Sequence, residues 1–405
     1  MKKHDYIFTT QARGSYYGIG TYIKQLLADL AKTEYSITIV GLIYKDTEFE
    51  ILERGSIRYI SIPAPVINKN GMNIDAFHQS VPFVLYPYID QAEHNIFHFN
   101  YMESGDIAKY IRLLVGGTIV LTVHYTDWSF LLLGKRHKLL RIQRRGDEEI
   151  DLQSQTILGN LEREKDFLKI CDKVIAISQH SYRDLIQIHK VDERKITLIN
   201  NAIRGSCITS KEKRDKARKK FYVAPNEIVL VFVGRLDVVK GIDILINAVK
   251  HVMKKYPDLR LVVAGDGDFS KYLSMAFPFW TKITFTGFLS KKSLQELYTI
   301  ADIGVIPSLH EEFGYVAIEM MSHKIPIIVN NTTGLSEIVD EGINGFKVSV
   351  DSNRNTWGSL IDKICFLIEN PNIRGQIGQN AYSKFKTYYS IKPFGEKMID
   401  FYASL

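Results

Sequence analysis

Short apolar runs alternate with segments of helical periodicity along most of the 405-residue chain. The predicted strands of the first half are residues 6–8, 37–42, 57–62, 96–99, 118–124, 173–177 and 196–199. Between them, residues such as Ile19, Ile23 and Leu27 recur at the spacing of one helix face, which is typical of crossover helices. This alternation predicts a parallel sheet covered by helices on both faces.

The pattern restarts after a polar stretch, residues 210–220, which carries seven Lys or Arg in eleven residues. The predicted strands of the second half are residues 228–233, 260–264, 283–286, 303–306 and 325–329. We therefore predict an α/β protein with one Rossmann-like domain over residues 1–207 and a second over 208–390. The apolar residues left in 391–405 predict a C-terminal helix that crosses back to the first domain.

Composition excludes several classes of protein. The 52 basic and 45 acidic residues give a net charge of +7, which favours anionic ligands without choosing among them. Three distant cysteines indicate neither a disulfide framework nor a zinc site. Residues 1–20 lack the apolar core of a signal peptide, and the apolar stretch 113–123 is too short to span a bilayer. We expect a cytoplasmic protein, with any membrane contact peripheral and on the cytoplasmic face.

Glycines and cations occupy the turns that follow predicted strands, where open parallel sheets bind ligands. Gly18 and Gly20 precede a helix, so backbone N–H groups there could approach a phosphate, although a flexible turn explains the pair equally well. Arg235 and Lys240 share the turn after residues 228–233. A guanidinium and an ammonium at this spacing can converge on a diphosphate, and the alternative is solvated loop charge.

Two carboxylates follow the strand at 303–306. If a helix begins near Phe313, Glu311 lies in the loop and Glu319 about two turns into the helix, so both could reach one extended ligand. Carboxylates accept hydrogen bonds from vicinal hydroxyls, as in a ribose or another sugar. The alternative is a helix-terminal charge at Glu311 and a surface residue at Glu319, which the apolar neighbours of Glu319 disfavour.

These segments resemble retaining GT-B glycosyltransferases of family 4 over nearly the whole chain. The motifs that carry the resemblance are Gly18-Ile19-Gly20, Thr122-Val123-His124, Ala176-Ile177-Ser178, Asn200-Asn201-Ala202-Ile203, Phe232-Val233-Gly234-Arg235-Leu236, Lys240-Gly241, Ala264-Gly265-Asp266-Gly267, the E-x7-E pair Glu311 and Glu319, and Thr333-Gly334-Leu335-Ser336-Glu337-Ile338. The resemblance implies two doubly wound domains that face each other across a cleft.

The resemblance also implies a role for each matching residue. The residues assigned to catalysis are Arg235 and Lys240 on the donor diphosphate, Glu311 on the donor sugar and His124 facing the transferred sugar. The residues assigned to donor binding are Gly18 and Gly20 at the phosphate, Glu319 at the ribose, Gly287 and Phe288 at the base, Phe313 and Gly314 in the E-x7-E loop, and Gly334 and Leu335 through their backbone. No metal and no cofactor beyond the nucleotide-sugar donor are expected.

The implied activity is hexosyl transfer, in glycan biosynthesis, from a UDP-sugar or a GDP-sugar to a glycan, lipid-linked or peptide acceptor. Two alternatives share the fold: a nucleotide-sugar 2-epimerase and a non-catalytic nucleotide-sugar-binding subunit. Nucleic acid is not an expected partner, since the basic residues are not interleaved with aromatics. Asn100 stands where many relatives have a second histidine, and Tyr125-Thr126-Asp127 follows His124 instead of an immediate aspartate.

A second basic stretch, residues 134–146, places six Lys or Arg beside Leu139, Leu140 and Ile142. It could contact anionic lipid of the inner membrane or guide an acidic acceptor. Such runs are more often solvated helix faces.

Overall fold

A computed structural model describes residues 3–10, 18–44, 48–63, 74–144, 151–205, 210–350 and 357–405. The chain divides into two compact units, Met1–Asn201 with Phe394–Leu405, and Ala202–Pro393. The division falls after Asn201 and not after residue 207, because Ile203 pairs with Ser390 and its N–H donates to the carbonyl of Tyr389 at 3.1 Å.

In the described residues of the first unit, eight strands form one sheet. The strands are β1 (Lys3–Thr10), β2 (Ser36–Tyr44), β3 (Glu50–Arg54), β4 (Ile57–Pro63), β5 (His94–Phe99), β6 (Thr118–Val123), β7 (Lys173–Ala176) and β8 (Ile196–Leu198). The helices are α1 (Gly18–Leu30), α2 (Ile74–Leu85), α3 (Gly105–Leu114), α4 (Asp127–Leu131), α5 (Arg136–Gln143), α6 (Leu152–Ile170) and α7 (Gln179–Gln187).

The first sheet has the order β3-β4-β2-β1-β5-β6-β7-β8. Its strands are parallel except for β3, which pairs antiparallel with β4 at the edge. The apolar runs predict the parallel strands because their side chains are buried on both faces. The sequence analysis missed β3, since most of its side chains are exposed and its sequence, Glu-Ile-Leu-Glu-Arg, has no buried run.

The described residues of the second unit form a six-stranded parallel sheet in the order β11-β10-β9-β12-β13-β14. The strands are β9 (Ile228–Val233), β10 (Leu259–Ala264), β11 (Ile283–Gly287), β12 (Ile303–Ile306), β13 (Ile327–Asn330) and β14 (Gly345–Val348). The helices are α8 (Lys211–Lys220), α9 (Ile242–Lys255), α10 (Phe269–Met275), α11 (Lys291–Ile300), α12 (Tyr315–Ser322), α13 (Leu335–Ile338), α14 (Gly358–Glu369) and α15 (Pro371–Lys384). The sequence analysis missed β14, because its sequence, Gly-Phe-Lys-Val, begins with glycine and contains a partly exposed lysine and so is not a continuous apolar run.

The last helix, α16 (Ile391–Ala403), buries Phe394, Met398 and Tyr402, and the residues from Phe394 onward belong to the first unit. Lys3 donates from Nζ to the carbonyl of Tyr402 at 3.0 Å, which joins the helix end to β1. Among the described helices, none has the length and apolar character needed to cross a bilayer.

Candidate functional site

The loop after β9 carries the predicted cationic pair. Arg235 Nη2 lies 3.3 Å from Asp237 Oδ2, and the Arg235 side chain is 61% exposed. Asp237 caps the short turn Val238–Lys240 by accepting from the N–H of Lys240 at 2.9 Å. This cap fixes the backbone from which the Lys240 side chain extends.

Gly241 allows this loop to pack closely against the loop after β12. Its φ of +69° is left-handed, and a Cβ there would lie 2.3 Å from the carbonyl oxygen of Pro307. The N–H of Leu309 donates to the carbonyl of Val239 at 2.7 Å and ties the two loops together. The segment that contains Glu311 is thereby brought to Lys240.

Lys240 and Glu311 form an ion pair. Lys240 Nζ lies 2.5 Å from Glu311 Oε1, and the two side chains are 22% and 19% exposed. Ser308 Oγ donates to the same carboxylate oxygen at 3.1 Å. Partial burial makes this pair stronger than a surface pair and fixes both charged groups in one position.

The Glu311 backbone is held by the loop after β13. Its N–H donates to Thr333 Oγ1 at 2.9 Å, and its carbonyl accepts from the Gly334 N–H at 2.8 Å. A Cβ at Gly334 would lie 2.4 Å from the carbonyl oxygen of Glu312, so these two loops also touch backbone to backbone. The loops after β9, β12 and β13 therefore meet at Glu311.

Glu319 lies in α12 and accepts a hydrogen bond from Tyr298 Oη at 2.7 Å. Burial raises the pKa of Glu319, and the bond from Tyr298 opposes that rise. Burial and the Glu319 charge raise the pKa of Tyr298 well above its usual range. The tyrosine therefore stays protonated and orients one oxygen of the carboxylate.

The other predicted donor-binding residues of the second unit occupy two regions. Phe313 is buried against the rings of Tyr315 and Tyr389, so its backbone and not its ring is available to a ligand. Gly314 and the buried Leu335 are in contact, because a Cβ at Gly314 would lie 2.7 Å from Leu335 Cδ2.

Gly287 and Phe288 lie at the end of β11 in the same sheet. The carbonyl of Gly287 accepts from the N–H of Gly265 at 3.0 Å, which links the ends of β10 and β11. The Phe288 ring is 65% exposed.

In the first unit, Gly18 and Gly20 lie within the first turn of α1 and not in a preceding turn. His124 follows β6, and its Nε2 lies 3.3 Å from Asn100 Oδ1. Burial and the neighbouring His98 lower the pKa of His124 to about 3, so the ring is neutral near pH 7. Asn100 itself is fixed by donation from Nδ2 to the carbonyl of Phe8 at 3.1 Å.

The structure thus brings Lys240, Glu311, Gly334, Leu335 and Gly314 together, with Arg235 on the same loop as Lys240. In the part of the chain that the structure describes, no group of three or more His, Cys, Asp or Glu side chains is placed to hold a metal ion. A cation pair beside a carboxylate can bind a phosphate through the cations and a hydroxyl through the carboxylate.

Sequence reasoning missed four residues that build this site: Ser308, Thr333, Tyr298 and Asp237. Each acts through a hydrogen bond to Glu311, Glu319 or the Lys240 backbone. Asp237 had a detectable signal, since an Asp three residues before the end of a turn is a typical cap. Thr333 and Tyr298 contact residues that are distant in the sequence, whereas Ser308 lies only three residues before Glu311.

Two family models match the chain. One, described as glycosyl transferases group 1, matches residues 213–384. The other, described as glycosyltransferase family 4, matches residues 16–204. Together they cover the main part of both units.

Sequence relatives of the chain are also glycosyltransferases. An uncharacterised glycosyltransferase of Methanocaldococcus jannaschii is 30% identical over 237 residues, which cover 57% of this chain and 59% of the relative. The match thus spans less than two thirds of that relative's length. A D-inositol 3-phosphate glycosyltransferase of Corynebacterium kroppenstedtii is 24% identical over 384 residues, which cover 90% of this chain and 80% of the relative.

Solved structures share the fold. A sucrose-phosphate synthase of Thermosynechococcus elongatus has a TM-score of 0.77 and 20% identity, with 100% of this chain and 99% of that chain covered. Anabaena HepE in complex with UDP-glucose has a TM-score of 0.73 and 18% identity, with 99% and 100% covered. At these identities the likeness shows the fold alone, that of two parallel-sheet α/β domains.

Proposed function

Because the chain belongs to the group 1 glycosyltransferases of the GT-B fold, we propose that it transfers a hexose-type sugar from a nucleoside diphosphate donor to an acceptor hydroxyl. The observation that carries the proposal is the meeting of Lys240 and Glu311, with Arg235 on the same loop. The 2-epimerase and the binding subunit are not favoured by the family matches.

Transfer breaks the bond between the anomeric carbon and a phosphate oxygen of the donor. Negative charge then develops on the departing diphosphate. Arg235 and Lys240 are the groups that we assign to this charge, the arginine with its planar fork and the lysine as a point charge. A cation that is already in place, as Lys240 is beside Glu311, stabilises the transition state more than the ground state, which raises turnover. On this proposal the two side chains supply the charge stabilisation without a metal.

The same proposal gives the carboxylates separate roles. Glu311, held by Ser308 and Lys240, accepts from hydroxyls of the donor sugar, and Glu319, oriented by Tyr298, accepts from the ribose. His124 orients the transferred sugar as a neutral imidazole. No described carboxylate is assigned as a nucleophile, so we propose same-face substitution, in which the departing phosphate oxygen takes the acceptor proton and the anomeric configuration is retained.

The proposed donor is a UDP-sugar, with a GDP-sugar as the second candidate. HepE structures in complex with UDP and with UDP-glucose support the uridine nucleotide. The proposed acceptor is a glycan, a lipid-linked saccharide or a peptide.

Exposed apolar side chains in α4 and α5 favour a lipid-linked acceptor. Phe130, Leu131 and Leu140 are 47%, 42% and 44% exposed, and the exposed Lys138 and Arg141 lie on α5. Basic and apolar groups together bind an anionic bilayer surface. Residues 145 and 146 of the predicted basic stretch lie outside the described residues. Charge reversal, Lys138→Glu with Arg141→Glu, should reduce sedimentation with phosphatidylglycerol vesicles, and unchanged binding would contradict the membrane contact.

The activity is tested on the purified full chain with a panel of UDP-sugars and GDP-sugars. A donor that binds the folded state raises the melting temperature, and turnover releases the nucleoside diphosphate. We expect one donor both to raise the melting temperature and to be turned over, with its sugar transferred to the acceptor hydroxyl and its anomeric configuration retained in the product. The proposal is overturned if Arg235→Met and Lys240→Met release product as fast as Lys250→Met, a control whose lysine donates to the Met275 carbonyl elsewhere in the same unit.

A further inference from the structure

Five polar side chains form a continuous hydrogen-bonded chain through the core of the first unit. Tyr402 Oη of α16 donates to Asp5 Oδ2 of β1 at 2.7 Å, and the same hydroxyl lies 2.5 Å from His98 Nδ1. His98 Nε2 lies 2.7 Å from Thr122 Oγ1, which in turn lies 2.8 Å from Tyr22 Oη. We call these five residues the core hydrogen-bond chain.

The core hydrogen-bond chain is shielded from solvent. Each of its five residues is at most 1% exposed. Burying a carboxylate, an imidazole and three hydroxyls carries a desolvation cost that apolar residues at the same positions would not incur. Stability of the fold therefore gives no reason for this arrangement, and a function in positioning does.

The hydrogen bonds of the core hydrogen-bond chain all run in one direction. When Asp5 is ionised, the Tyr402 hydroxyl donates its proton to the carboxylate, so the Tyr402 oxygen accepts from His98 Nδ1–H. His98 Nε2 then carries the lone pair and accepts from the Thr122 hydroxyl, whose oxygen accepts from Tyr22. Each hydrogen bond thus depends on the one before it, and the first depends on Tyr402 and Asp5.

The core hydrogen-bond chain ends at Tyr22, whose ring packs against His124. The Tyr22 ring meets the His124 ring edge to face, with centroids 4.7 Å apart and an interplanar angle of 75°. The Phe394 ring of α16 also meets the Tyr22 ring edge to face, with centroids 5.8 Å apart. The C-terminal helix therefore contacts Tyr22 directly through Phe394 and indirectly through Tyr402.

We propose that Tyr402 and Asp5 are positioning residues for glycosyl transfer, which act through His98, Thr122 and Tyr22 on the orientation of His124. This inference rests on the proposed function, because it needs His124 to face the transferred sugar. Loss of the Tyr402 hydroxyl leaves His98 Nδ1 without its acceptor, so the imidazole proton moves to Nε2 and the hydrogen bonds to Thr122 and Tyr22 reverse.

The test compares Tyr402→Phe with Tyr6→Phe. Tyr6 is an equally buried tyrosine of β1. Its hydroxyl lies near the Tyr88 carbonyl and His4 Nδ1 and is not part of the core hydrogen-bond chain. We expect Tyr402→Phe to lower kcat for nucleoside diphosphate release at least about tenfold with the donor KM unchanged, and Tyr6→Phe to stay near wild type. Equal effects of the two variants would overturn the inference. A wild-type chain inactive on every donor would instead overturn the proposed function.

A measurement independent of turnover uses ¹⁵N-labelled histidine. At a pH where Asp5 is ionised, the wild type should show His98 protonated at Nδ1, and Tyr402→Phe should show it protonated at Nε2. Protonation of wild-type His98 at Nε2 would overturn the direction given above for the core hydrogen-bond chain, and with it the proposal. If Tyr402→Phe does not fold, Thr122→Val and Thr122→Ser replace it: the serine should restore the turnover lost in the valine variant, and failure of the serine to do so counts against the proposal.

Discussion

The ammonium nitrogen of Lys240 lies 2.5 Å from Glu311 Oε1, and both side chains are about one-fifth exposed. Arg235, in contrast, is 61% exposed and lies 3.3 Å from Asp237 in its own loop. An exposed pair of this kind contributes little energy, so Arg235 can turn to a ligand at small cost. On the proposed function, Lys240 is instead shared between the donor diphosphate and Glu311. The diphosphate would therefore pair with Arg235 at a smaller cost in free energy than with Lys240.

Glu311→Gln should separate binding from turnover. The substitution removes a negative charge next to Lys240, so we expect the nucleoside diphosphate to bind several-fold more tightly. Turnover should fall, because the amide accepts more weakly from sugar hydroxyls than the carboxylate does. Titration calorimetry with UDP and initial rates with the UDP-sugar measure the two effects. Weaker UDP binding would contradict the assignment, and Glu296→Gln, an exposed pair with Lys220, is the control.

Lys240→Met should lower kcat by about 10²- to 10³-fold, the usual loss for one preorganised group that stabilises transition-state charge. Methionine keeps most of the side-chain length, so the loop and its cap at Asp237 should persist. Rates at saturating donor report the effect, since a lysine used only for binding would raise KM and leave kcat unchanged. Lys240→Arg should recover part of the lost rate.

Glu319→Gln tests the assignment to the ribose. The wild type should bind UDP more tightly than 2′,3′-dideoxy-UDP, because the Glu319 carboxylate accepts from the ribose hydroxyls. In the variant this preference should shrink several-fold, with little change in the binding of the dideoxy compound. A preference that survives the substitution would show that other groups hold the ribose.

Tyr298→Phe, like Glu319→Gln, should weaken the binding of UDP. The hydroxyl of Tyr298 donates to Glu319 Oε2, and its loss should raise the pKa of Glu319 further. We therefore expect weaker UDP binding at acidic pH than in the wild type, with the difference disappearing at alkaline pH where the carboxylate is ionised in both. Calorimetry at two pH values measures this difference.

Among the described residues, every parallel strand except β14 was predictable, because strands buried on both faces are continuous apolar runs, as in Ile228–Val233 and Ile303–Ile306. Strand β14 was not, because it is not a continuous apolar run, and β3 was not, since most of its side chains are exposed. The places of Arg235, Lys240 and Glu311 in loops after strand ends were also predictable, and their roles stay predictions. Their hydrogen-bond partners were not, because Thr333 and Tyr298 reach Glu311 and Glu319 through the fold and not through sequence spacing.

Asp5 gives the core hydrogen-bond chain a titratable end. Burial raises the pKa of Asp5 from 3.8 to about 7, although the bond from Tyr402 opposes the shift. The folded state therefore holds a proton between about pH 4 and 7 that the unfolded state has released, so the free energy of unfolding falls as pH rises through this window. Burial lowers the pKa of His98 and His124 to about 3. The contribution of these two neutral imidazoles to the free energy of unfolding is therefore fully present above about pH 6.5 and is lost as pH falls toward 3.

Asp5→Asn isolates the contribution of the carboxylate from that of the histidines, which both proteins share. Asparagine is isosteric and its oxygen can still accept from Tyr402, but it has no charge to bury. We expect the free energy of unfolding of the variant to rise relative to wild type between about pH 4 and about pH 7, and the difference to be constant at more alkaline pH. Urea unfolding near pH 5 and near pH 8 measures this difference, with Tyr6→Phe as an uncharged control in the same strand. A difference that is the same at both pH values would mean that Asp5 is ionised throughout, because only a carboxylate that binds its proton more tightly in the folded state makes the variant's advantage grow with pH.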